Sequence, residues 1–128
     1  MPAKFKVTST YKRSRFMGSE KPSYTATLVT NREIKAKEFS EILAKRTRIS
    51  EIDCLKILMT ISDEICKNLM EGNIVRVDHL GSFRITAKST FSDTKSGVIP
   101  QSLGAPKVVF TPSQEIKKTL SGIRYEKE

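Results

Sequence analysis

The sequence predicts an α+β chain built from two helices, an antiparallel β-sheet, a short C-terminal helix and an extra N-terminal β-hairpin. Three observations carry this. Phe5, Val7, Ser9 and Tyr11 alternate with Lys4, Lys6, Thr8 and Thr10, which is the two-residue period of a strand. Leu55, Leu58, Met59, Ile65 and Leu69 recur at three- and four-residue steps between Ser50 and Gly72, which is the period of a helix. Alternation then returns on both sides of the glycine at position 81.

The first strand, residues 4–11, has one apolar and one cationic face. A second strand over residues 24–29 places Tyr24, Ala26 and Leu28 on one side, and the polar segment 12–23 with its Gly and Pro supplies the loop between them. An isolated hairpin is only marginally stable, so its apolar face is expected to dock on the main sheet. Residues 31–33 break the pattern. Helical spacing resumes over residues 35–46 through Ala36, Phe39, Ile42 and Leu43, a helix short enough to need a second one to pack on.

Ser50 is a good N-cap for the second helix, and Gly72 stands where a C′ glycine closes a helix. Ile52, Ile57 and Ile61 add apolar surface off the main stripe, and a helix apolar nearly all round is normally buried on most sides. The two helices and few strands of one chain offer too few facing layers for that, so a homodimer with the long helices at its centre is expected. Strands follow over residues 74–77 and 83–88, joined by a turn at His79, Leu80, Gly81 and Ser82. Residues 89–106 are polar with few strand formers. Residues 107–111 return as a strand, Pro112 and Ser113 start a short helix over residues 114–120, and Gly122 ends it. The polar tail, residues 123–128, either frays or adds an edge strand through Ile123 and Tyr125.

This order of features resembles the bacterial histone-like HU and integration host factor family of DNA-binding proteins. The match begins at Phe39, where FSEILAKRTRIS reads like the family's first helix and its loop, and continues through Ser50, Gly72, Gly81 and Phe83. LGSF looks like the family's GFGTF turn. FTPSQEIKKTL, from Phe110, looks like its F-x-P-G-K-x-L-K ending, with Ser113 where Gly is usual. The likeness covers residues 35–120, and the longer N-terminal segment looks like a divergent HU-like subgroup. It implies an intertwined homodimer and a DNA-binding saddle. It also implies that residues 89–106 form an arm of two extended strands lying in the minor groove, with a proline wedged between base pairs. Here the sequence departs from the family. The Arg-Asn-Pro-x-Thr-Gly tip is absent, Lys95 is the only Lys or Arg in the segment, and Asp93 offsets it. Pro100 would sit on the returning strand rather than at the apex near Ser96 and Gly97. Weaker DNA bending than in typical members is therefore expected.

Charge points the same way. The net charge is +9, with twelve Lys/Arg against four Asp/Glu in residues 1–48, three against six in 49–80 and eight against four in 81–128. A mildly acidic centre with basic flanks suits a packed core that presents cations at its edges. The cations expected to meet DNA are Arg84 and Lys88 on the strand leaving the core, placed on one face by their spacing, together with Lys95, Pro100, Lys107, and Lys117 and Lys118 on the final helix. Each cation could neutralise one phosphate without reading sequence.

Little in the sequence supports catalysis. His79 is the sole histidine and has no nameable nucleophile beside it, and no glycine loop precedes a Lys-Ser/Thr pair. Cys54 and Cys66 lie twelve residues apart on one helix, about 18 Å, too far to pair within it. They read as buried thiols, and a zinc site would lack ligands. No cofactor, metal, membrane contact or small-molecule substrate is expected, and the sequence reads as that of a soluble protein of the cytoplasm or nucleoid. The expected organisation is a hairpin extension over residues 1–33 docked on the main domain, an HU-like DNA-binding domain over 34–122 and a tail over 123–128. The expected function is duplex DNA binding with little sequence preference, as a histone-like architectural dimer. A rival reading keeps the HU-like dimer frame as a structural or protein-interaction module that has lost DNA bending. A third uses Tyr11, Phe16 and Tyr24 as stacking platforms for single strands.

Overall fold

The computed structural model describes residues 2–13 and 20–128, with the side chains of 10–13, 20 and 21 left aside. Arg15, Phe16 and the rest of residues 14–19, half of the hairpin loop expected over 12–23, lie outside the described residues; the other half, 12–13 and 20–23, belongs to the strands, because cross-strand pairing continues past the apolar alternation. The chain is mixed α+β and divides into two compact units, residues 1–34 with 120–128, and residues 35–119.

In the first unit, β1 (Ala3–Arg13) and β2 (Glu20–Val29) run antiparallel with Phe5 opposite Leu28 and Val7 opposite Ala26. Side chains alternate across a strand, so Phe5, Val7, Tyr24, Ala26 and Leu28 share one face while Lys4, Lys6, Thr8, Thr25 and Thr27 share the other. On the polar face the Thr8 hydroxyl lies 2.9 Å from that of Thr25 and 3.2 Å from that of Thr27. The chain's end supplies a third strand, Tyr125–Lys127, parallel to β1 with Tyr125 opposite Ala3. Of the two outcomes expected for the tail, the edge strand is the one formed.

The second unit starts with α1 (Ala36–Thr47), ended by Arg48 in the left-handed region at φ 61°. The Ser40 hydroxyl, almost wholly buried, donates to the Ala36 carbonyl at 2.7 Å. Helix α2 (Glu51–Met70) begins at Ser50, whose Oγ accepts from the Asp53 amide at 3.1 Å. It ends in a Schellman pair: the Gly72 amide donates to Leu69 O at 3.0 Å and the Asn73 amide to Asn68 O at 3.0 Å. Gly72 carries the positive φ, +80°, that this cap requires.

A three-stranded antiparallel sheet follows, in the order β3 (Val75–Val77), β4 (Gly81–Thr86), β5 (Lys107–Pro112). The predicted strands are shifted. β4 opens at Gly81 rather than Phe83 because Gly81, at φ +150°, pairs directly with Val77 as the chain leaves the turn. It also stops at Thr86, so Lys88 lies beyond the strand and does not share its face with Arg84 as a strand register would require. Val75 and Val77 line one groove with Ile61 and Ile65 of α2, which identifies the side of the sheet that packs on the helix. Helix α3 (Gln114–Leu120) closes the unit, with its predicted bounds.

Residues 89–106 do not run as two extended strands. Ser89 and Leu103 form an isolated antiparallel bridge, and between them lie two 3-10 turns, Lys95–Gly97 and Pro100–Ser102. The polar, strand-poor composition is satisfied locally by hydroxyl caps: Thr94 Oγ1 accepts from the Gly97 amide at 3.2 Å and Ser102 Oγ from the Ile99 amide at 3.0 Å.

Among the described residues the buried hydrophobic side chains are Cys54 and Leu69, at 4% and 6% exposure, whereas Ile52 is 69% exposed. Ile57, Met59 and Ile61 are also exposed. The long helix is as apolar as expected, but a single chain leaves much of it uncovered. Cys66, read from sequence as a buried thiol, is exposed for the same reason.

Candidate nucleic-acid interface

Sheet register determines which cations stand together. Arg84 lies opposite Val109, Lys107 opposite Thr86, and Arg76 opposite Ser82. Directly opposed residues share a face, so Arg76, Arg84 and Lys107 occupy one face with Ser82, Thr86, Val109 and Thr111. Val75 and Val77 point toward α2, so this cationic face is the one turned away from the helix. No acidic residue lies in the three strands. Arg84 and Lys107 are diagonal neighbours, a spacing of about 7–8 Å between such positions.

The turn between β3 and β4 and the start of α3 are tied to each other. Ser113 Oγ donates to His79 O at 2.8 Å and accepts from the Ile116 amide at 3.2 Å, while the Ser113 amide donates to Leu80 O at 3.0 Å. One side chain therefore caps α3 and holds the turn beside it. A cleft of about 500 Å³ opens here, lined among others by Arg76, His79, Ser82, Thr111, Glu115 and Lys117. His79 Nδ1 lies 3.6 Å from Glu115 Oε1, with both side chains largely in solvent.

The predicted site residues fall into three places. Arg84 and Lys107 come together on the sheet face. Lys117 joins Arg76 at the cleft, and Lys118 is its exposed neighbour on α3. Lys88, Lys95 and Pro100 belong to the loop: the Lys88 carbonyl accepts from the Gly104 amide at 2.8 Å, Lys95 opens the first 3-10 turn and Pro100 the second. Sequence reasoning missed Arg76. Its alternation with Val75 and Val77 was visible, but the face it shares with Arg84 and Lys107 follows only from the register that Gly81 sets.

The arrangement offers fixed cations and hydroxyls to an extended anion. Among the described residues no group of three His, Cys, Asp or Glu side chains is placed to hold a metal ion, and no helix is long and apolar enough to cross a membrane.

A search of curated proteins finds no match to this sequence. Similar folds occur among solved structures. A candidate bacterial DNA-binding protein from Bacteroides vulgatus matches with a TM-score of 0.67 at 10% identity, over 98% of this chain and 47% of its own. This chain thus spans about half the length of that protein. An HU variant from Thermotoga maritima matches with a TM-score of 0.50 at 22% identity, over 68% of this chain and 99% of its own. HU from Anabaena, crystallised with DNA, matches with a TM-score of 0.53 at 15% identity, over 70% of this chain and 99% of its own. Whole HU chains are therefore accommodated within about two thirds of this one. A family model described as an HU domain fused to a winged helix-turn-helix, Ig or glycine-rich motif matches residues 1–127, and the chain accordingly belongs to this HU-HIG family.

Proposed function

We propose that the protein binds duplex DNA with little sequence preference, as an architectural homodimer of the nucleoid. The observation that carries this reading is the shared face of Arg76, Arg84 and Lys107, free of carboxylates along its three strands and turned away from α2. Lys117 extends it at the cleft, and Lys118, Lys88 and Lys95 flank it on α3 and in the loop. Such cations release counterions from the phosphate backbone, which yields affinity but not base discrimination.

Dimerisation is supported by the thin core of the single chain. A chain of 128 residues can bury a sizeable core, yet α2 leaves Ile52, Ile57, Met59 and Ile61 exposed. A second copy, with the long helices of both chains at the centre, covers them. The compact loop at residues 89–106, with one Lys and one Asp, supports weaker bending than a long cationic arm would give. Two duplexes of about 30 base pairs and unrelated sequence test the reading by fluorescence anisotropy. Affinities within a few-fold of each other are expected. A preference of about 1,000-fold or more, as specific binders show, would contradict it.

One observation favours the second reading, an HU-like interaction module. Phe5, Ala26, Leu28 and Tyr125 line a shallow apolar cleft of about 370 Å³ on the appended sheet. An exposed apolar surface of this kind suits a protein partner. Failure of the intact dimer to bind DNA would leave that reading in possession.

A further inference from the structure

We infer that the polar face of the appended sheet is a second phosphate-binding surface for duplex DNA, separate from the one formed by Arg76, Arg84 and Lys107. This deepens the DNA-binding reading above and rests on it. The unit formed by residues 1–34 and 120–128 carries nine Lys/Arg against four Asp/Glu. More than half of the chain's net charge of +9 therefore stands on a third of its residues. Register sorts that charge by face. Lys4 lies opposite Val29, Lys6 opposite Thr27 and Thr8 opposite Thr25, and the pairing continues to Lys12 opposite Lys21. Opposed residues share a face, so Lys4 and Lys6 stand beside the threonines, whereas Phe5, Val7, Tyr24, Ala26 and Leu28 stand on the other side. Both lysines are exposed. The third strand brings one carboxylate into register, Glu126 with Lys4, yet no ion pair holds Lys4 or Lys6 among the described residues.

The arrangement of side chains on this face selects the partner. Lys4 and Lys6 are two residues apart on one strand, about 6.6 Å along it, so they can meet separate phosphates. Thr8 Oγ1 donates to the Thr25 carbonyl at 3.3 Å besides its contacts with the Thr25 and Thr27 hydroxyls, which fixes the hydroxyls next to Lys6 before any ligand arrives. Threonine hydroxyls, like lysines, are donors to phosphate oxygens. A membrane surface, by contrast, is met by cations that flank an apolar face. Here the large apolar side chains and the shallow cleft at Phe5, Leu28 and Tyr125 belong to the opposite face. A cationic, hydroxyl-lined face set apart from them matches the hydrated backbone of a duplex, which it neutralises without reading bases. Arg76, Arg84 and Lys107 belong to the other unit, so the lysines of this sheet are an additional set of contacts.

The test measures the affinity of the full chain for a duplex of about 30 base pairs by fluorescence anisotropy over a range of salt. The double variant Lys4→Ala/Lys6→Ala should lower the slope of log affinity against log salt by about 1.8 per protomer, hence about 3.6 for a dimer that engages both sheets. Lys4→Arg/Lys6→Arg should keep the wild-type slope. Lys127→Ala should keep it too, because register with Phe5 sets Lys127 on the apolar face. A loss of about 0.9 per protomer in Lys127→Ala would make overall charge the cause and overturn the proposal. A loss in the Arg pair equal to that in the Ala pair would trace the effect to the folding of the sheet and overturn it as well. A wild-type slope in Lys4→Ala/Lys6→Ala, with Arg84→Ala still lowering it, would remove this second surface and leave the DNA-binding reading standing. Absence of DNA binding by wild type would overturn both.

Discussion

The Phe83 and Phe110 rings lie with their centroids 4.9 Å apart and their planes tilted by 46°, because the β4–β5 register sets the two residues directly opposite each other. Gly81 is what lets this pair close. A Cβ at position 81 would collide with the Thr111 carbonyl and come within 2.8 Å of the Phe110 ring, and its φ of +150° disfavours any other residue. Gly81→Ala should therefore lower stability by about 2–3 kcal/mol, read as a shift of the urea midpoint at unchanged slope. A midpoint equal to wild type would mean the turn does not hold the ring pair.

The Ser113 hydroxyl has two duties, capping α3 and holding the turn at His79. Ser113→Ala removes the cap on Ile116 and the hydrogen bond to His79 O, and should cost about 1 kcal/mol. Ser113→Gly loses the same two bonds but keeps a residue tolerated at an N-cap, so its cost should be smaller. Thermal denaturation of both variants checks the order.

The shared cationic face predicts matched losses. Arg76→Gln, Arg84→Ala and Lys107→Ala should each lower the slope of log affinity against log salt by about 0.9 per protomer, hence about 1.8 for a dimer that binds with both copies, without altering sequence preference. Lys117→Ala should behave in the same way. Arg76 separates a register-based site from one read from sequence alone, and a slope unchanged in Arg76→Gln would remove it from the interface.

The uncovered side of α2 predicts a dimer with that surface at its centre. Ile57→Asp would be nearly neutral, within about 0.5 kcal/mol, on the surface of a monomer. In the proposed dimer it buries an unpaired carboxylate, so it should convert the protein to monomers by light scattering and lower its stability by several kcal/mol.

The helices were legible because their ends carry local signals: Ser50 caps, Gly72 terminates, and the apolar stripe between them needs no knowledge of neighbours. The α3 bounds were legible for the same reason, from Pro112 and Ser113 to Gly122. Strand ends were harder. Gly81 reads as a turn glycine, yet its φ lets it open β4, and at the other end the pairing stops at Thr86, short of Lys88. The candidate site was legible in type but incomplete, since Arg84 and Lys107 could be named whereas Arg76 joins them only through cross-strand register. The loop was legible as a departure from a cationic arm, but its 3-10 turns depend on hydroxyl caps by Thr94 and Ser102 that composition does not reveal.

The most direct measurement of the central claim is the affinity of the full chain for a duplex of about 30 base pairs over a range of salt, with oligomeric state determined on the same sample. A dimer whose binding weakens steeply with salt, about 0.9 log units per log of salt for each phosphate neutralised, is the expected result. An intact dimer that binds no DNA at low salt would contradict the claim and direct attention to the apolar face of the appended sheet.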